Sequence, residues 1–98
     1  MKNATYLVAF RVEKDVDNEL YLEEWLAIHE AVHVLGDIWL MKSPLQAGEL
    51  AHEITREDAY AGRKFDGRLI VLGLAPGTDW AHERLPDHAD ALLRELSP

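Results

Sequence analysis

Gly36-Asp37 is the dipeptide that most constrains this chain, because it separates two short apolar runs, residues 31–35 and 38–42. Two architectures compete for it. Glycine followed by aspartate suits a two-residue type II′ turn, since glycine takes the positive φ of the first central position without steric cost. The two runs would then be the strands of a hairpin. Glycine also closes helices at the residue after the C-cap. On that reading the preceding helix continues through Leu35.

The flanking segments show what either choice must join. Residues 5–12 are β-prone, with Tyr6, Val8, Phe10 and Val12 on one face and Leu7 and Ala9 on the other. Both faces are apolar, as in a central strand. A polar turn over 13–18 offers Asp17 or Asn18 as an N-cap for a helix from about Glu19. Leu22, Trp25, Leu26 and His29 then recur at helical spacing, with Tyr21 and Ile28 widening the stripe. Downstream, Ser43-Pro44-Leu45-Gln46 reads as an N-cap serine, proline at the first helical position and glutamine at the third. Ala47, Leu50, Ala51 and Ile54 form the buried face of that helix. Residues 57–67 are a polar connection and 68–74 a buried strand, which Ala75-Pro76-Gly77 breaks. Residues 79–84 read as a short helical turn. Pro86 opens a last helix with Ala89, Leu92, Leu93 and Leu96 on one face. With the hairpin in place the order is β-α-β-β-α-β plus a C-terminal helix. That is the split β-α-β pattern of a ferredoxin-like α/β (α+β) sandwich, with helices on one face of an antiparallel sheet. No repeat, low-complexity tract or long linker divides residues 1–98, which read as a single domain.

Composition narrows the function classes. With 48% hydrophobic residues the chain can bury a core without covalent staples. The absence of cysteine excludes disulfides, thiolate metal sites and thiol nucleophiles, and it fits a cytoplasmic setting. The first ten residues lack a signal-peptide layout. The longest apolar run, 69–75, is too short to span a bilayer, so no membrane partner is expected. A net charge of −8 repels phosphates, which disfavours direct nucleic-acid binding, and it suits a basic or nucleic-acid-binding protein as partner.

The stretch from His33 through Trp39 and Lys42 to Ser43, then Gly67-Arg68-Leu69-Ile70-Val71-Leu72, Thr78-Asp79-Trp80-Ala81 and Leu85-Pro86, resembles the SinR family. These are short relatives of the CRISPR adaptation protein Cas-two and of VapD-type ribonucleases. The resemblance spans nearly the whole chain. It implies a ferredoxin-like fold, a homodimer and a metal-dependent nuclease ancestry. The nuclease members carry a metal-binding aspartate near the end of the first strand. Arg11 stands at the matching position here, and a cation repels Mg²⁺ and cannot ligate it. Glu13 and Asp15 lie near but out of place. The resemblance with this departure implies a nuclease-dead, dimeric interaction module. A specific version is an acidic inhibitor of a bacterial nucleic-acid-targeting defence system. A metal-dependent endonuclease of the SinR-like type is the alternative.

His29-Glu30-Ala31-Val32-His33 also spells H-E-x-x-H. On a helix, His29 and His33 would share one face and a zinc ion, and Glu30 would act as the catalytic base of a minimal metallopeptidase. Trp39 stands where a third histidine is wanted, so Glu49 or Glu53 would have to complete the set. The helix reading of residues 31–35 permits this chemistry and the hairpin reading removes it. Otherwise no catalytic or metal-binding set is favoured and no cofactor is expected. His52-Glu53 and His82-Glu83 read as surface pairs. Arg11, Trp39, Trp80, Arg63 and Lys64 are the interaction candidates, with Arg68 completing a basic spot around the loop from Gly62 to Gly67.

Overall fold

A computed structural model describes residues 3–12, 16–56, 67–81 and 83–96. In chain order these form β1 (Ala4–Val12), α1 (Val16–Ile28), β2 (Val32–Leu35), β3 (Ile38–Ser43), α2 (Ala47–Thr55), β4 (Gly67–Leu74) and α3 (Asp87–Arg94). The four strands make one antiparallel sheet in the order β2-β3-β1-β4. Each half of the chain therefore contributes a split β-α-β unit, which is the ferredoxin-like arrangement.

The hairpin wins over the long helix. Gly36 has φ +46°, while Asp37 is not among the residues at positive φ, the pattern of a type II′ turn. α1 ends at Ile28 because Glu30 swings to φ +60°. The Ala31 N–H donates to the Leu26 carbonyl at 2.9 Å, and the Glu30 N–H to that of Ala27 at 3.1 Å. These two bonds are a Schellman closure, with glutamate in the left-handed position that glycine usually fills. At its other end α1 starts at Val16, so Asp17 and Asn18 fall inside its first turn rather than ahead of it.

β1 is central, and its alternation decides the core. Tyr6 faces Met41 and Gly73, Val8 faces Trp39 and Val71, and Phe10 faces Leu69. On this side of the sheet Leu22 and Leu26 of α1 and Leu50 and Ile54 of α2 pack among Tyr6, Val8, Phe10 and Met41. Each large apolar side chain fully removed from water contributes about 1.5–3 kcal/mol. The Tyr6 hydroxyl donates to the Leu45 carbonyl, tying the central strand to the approach to α2.

α2 begins later than the sequence implies. Gln46, not Ser43, is its N-cap residue, and the Gln46 N–H is accepted by Oε1 of Glu49 at 3.3 Å. Ser43 is instead the last residue of β3, buried opposite Ala4. Its hydroxyl accepts the Leu45 N–H at 3.1 Å and turns the chain out of the sheet.

The other side of the sheet is covered by the C-terminal segment, and only in part. Pro86 is the N-cap residue of α3. Ala89 and Leu96 are buried, Lys42 pairs with Glu95, and the Gly77 N–H donates to the Leu96 carbonyl at 2.6 Å. Within α3, Arg94 donates to Asp90 at 2.6 Å, and that carboxylate raises the guanidinium pKa above its usual value. The helical turn expected at 79–84 is not formed by its described residues, and Arg84 takes φ +61°. β4 is not the buried strand that its composition implies. It lies at a sheet edge, with Ile70 50% and Leu72 47% exposed. No helix among the described residues is long and apolar enough to cross a membrane.

Candidate functional site

The H-E-x-x-H residues do not share a helix, so the premise of the zinc reading fails. His29 follows the end of α1, with Nδ1 2.8 Å from the Trp25 carbonyl and its ring stacked on Trp25 at 3.8 Å between centroids. His33 lies in β2 opposite Trp39, with Nε2 2.7 Å from the Gly36 carbonyl and its ring stacked on Trp39 at 4.7 Å. A carbonyl only accepts, so in these two contacts Nδ1 of His29 and Nε2 of His33 are the donors. Glu30 occupies the left-handed helix cap. His29 and Glu53 both line a small cavity of about 150 Å³, but His33 does not, and Glu53 pairs with Arg56 at 3.3 Å. Glu49 is the acceptor at the start of α2. Among the described residues, no group of three potential ligands converges on a metal position.

The arrangement that stands out is on the half of the sheet that α3 leaves open. The β1–β4 register sets Arg11 directly opposite Arg68. Like charges in that relation destabilise a sheet. Arg11 is relieved by Asp37, whose Oδ2 lies 3.3 Å from its guanidinium, and the arginine side chain stays 75% exposed. Arg68 makes no ion pair with the described residues. By contrast, Lys42, Arg56 and Arg94 each sit against a carboxylate. Ala9 faces Ile70, and Leu7 faces Leu72, along the same side of the sheet. Ala9, Arg11, Asp37, Arg68 and Ile70 line a shallow open hollow of about 310 Å³. The result is an apolar strip ending in two guanidinium groups, beside an edge strand whose outer hydrogen-bonding groups have no strand partner among the described residues.

Of the residues singled out in the sequence, Arg11 belongs to this face and Arg68 joins it. Trp39 is elsewhere, half-buried on the helix side against His33 and the core. Trp80 is half-buried in the segment that covers the other part of the sheet. Arg63, Lys64 and His82 lie outside the described residues. Ile70 and Leu72 carry most of the exposed apolar area of the strip, and they were missed because residues 69–72 are apolar at both parities. Periodicity held no signal for which side is covered.

No protein-family model matches this chain, and no curated protein or solved structure gives a significant match.

Proposed function

We propose that this chain is a non-catalytic interaction module that joins a second copy of itself through the open half of its sheet. The observation that carries the reading is the exposed Ile70–Leu72 strip, flanked by the facing Arg11 and Arg68 on an edge strand. Ile70 and Leu72 are already about half covered, so burying the remainder contributes roughly half of the 1.5–3 kcal/mol that full burial of such a side chain gives. A two-fold contact collects that contribution from both copies. Each chain carries −8, so two copies repel over most of their surfaces, whereas the strip itself is uncharged and its two guanidinium groups lie at one end. Arg68 of one copy can meet Asp37 of the other, a half-buried carboxylate beside the strip that also holds Arg11 of its own chain.

The likeness to the SinR family supports a dimer and a lost nuclease activity, since Arg11 stands where that family's metal-binding aspartate falls. The likeness and the acidic surface together also support the narrower reading of an inhibitor of a nucleic-acid-targeting defence system. Amide hydrogen exchange tests the self-pairing. Exchange across residues 67–74 slows as the protein is concentrated from the micromolar to the millimolar range, while α2 is unaffected. Exchange in 67–74 that is independent of concentration would overturn the proposal.

A further inference from the structure

α3 and the segment before it do not close fully on the sheet. Between them and the sheet lies an open-sided apolar cavity of about 230 Å³. Its walls are Leu7, Val34, Leu40 and Leu74 from the sheet, Leu93 from α3 and Trp80 from the segment leading into it. Val34 shares the face of Leu40 by strand alternation, and a register shift falls at it. His33 pairs with Trp39 and Leu35 with Ile38, so Val34 is the extra residue of a bulge. The polar groups at the cavity are few. The Thr78 hydroxyl already donates to the Ala75 carbonyl, and Asp79 is exposed. With Ala81, which is also exposed, Asp79 marks where the cavity reaches solvent.

Water is poorly held in such a space, because a buried water needs two to four polar partners. A fully enclosed apolar cavity of about 150 Å³ stays dry and takes up benzene. The one here is larger, has an aromatic wall in Trp80 and has a mouth. We infer that it binds a small apolar molecule of about the size of two fused aromatic rings. This ligand site adjoins the proposed contact between copies at Leu7, which faces Leu72 across the β1–β4 ladder, while Ile70 lies outside it.

Indole and xenon are the probes, followed through the methyl resonances of the intact chain. Indole gives saturable shifts fitting one site, centred on the cavity methyls of Leu7, Val34, Ile38, Leu40, Leu74, Leu93 and Leu96, and it raises the melting temperature by mass action. Xenon, which needs only dry apolar volume, shifts the same methyls. Val34→Phe fills the cavity and weakens indole binding by roughly tenfold or more, as steric loss in an apolar pocket does. Leu93→Phe is read in its place if that variant does not fold. The inference is overturned if neither probe gives saturable shifts, if the shifts centre on Ile70 rather than on the cavity methyls, or if the folded filling variant binds indole as the wild type does.

Discussion

Glu30 shows how one residue can decide between two proteins. Its backbone sits at φ +60°, a conformation that costs an ordinary L-residue about 1–2 kcal/mol and glycine almost nothing. The strain persists because the two closing bonds of α1 and the hairpin behind it fix the turn. Glu30→Gly should therefore stabilise the fold by about 1 kcal/mol, after the greater entropy of glycine in the unfolded chain is set against the relief. In a domain of this size that raises the melting temperature by about 4–8 °C. Gly67 is the opposite case. A Cβ at that position would collide with the Arg11 carbonyl oxygen and come within 3.0 Å of the Val12 Cα. Backbone atoms cannot step aside as a flexible side chain can. Gly67→Ala should destabilise by about 1–3 kcal/mol in denaturant titration and loosen the Arg11–Arg68 end of the β1–β4 ladder.

At the scale of elements, much of the fold was legible. Both strands of the hairpin, the central strand, the two sheet-packing helices and the C-terminal helix follow from periodicity and turn chemistry. The errors have physical causes. The Ser43-Pro44-Leu45-Gln46 signature was sound as a capping pattern, but the β1–β3 ladder holds Ser43 in the sheet, and the helix starts at the next group able to close it. The end of α1 was ambiguous because its left-handed cap is a glutamate. Composition gives no warning of that where glycine is the rule. β4 was read as buried because its run is apolar at both parities, yet α3 is only eight residues long and covers one part of the sheet. The candidate site was correspondingly half legible. Its charges, Arg11 and Arg68, could be read from the chain, whereas its apolar strip depends on what α3 fails to cover. With His33 held against Trp39 in β2, purified protein should carry far less than one zinc per chain by elemental analysis. His33→Ala should leave that content unchanged.

For the whole molecule, the dominant long-range term is the charge of −8. Two copies that meet through an apolar strip must overcome mutual repulsion, which salt screens over a Debye length of about 10 Å at 0.1 M. Any arginine–carboxylate contact between copies would lie at the exposed end of the strip, where such pairs contribute little. Self-association should therefore tighten as salt rises, and light scattering across a salt series reads the sign directly. A contact built mainly on ion pairs would weaken instead. Sedimentation equilibrium of the wild type beside Ile70→Asp is the most direct measurement of the central claim. The wild type should approach twice the chain mass of 11.1 kDa as concentration rises, while Ile70→Asp stays at the mass of one chain with an unchanged circular dichroism spectrum. A wild type that remains a single chain up to millimolar concentration, or an Ile70→Asp variant that pairs as well as the wild type, would contradict it.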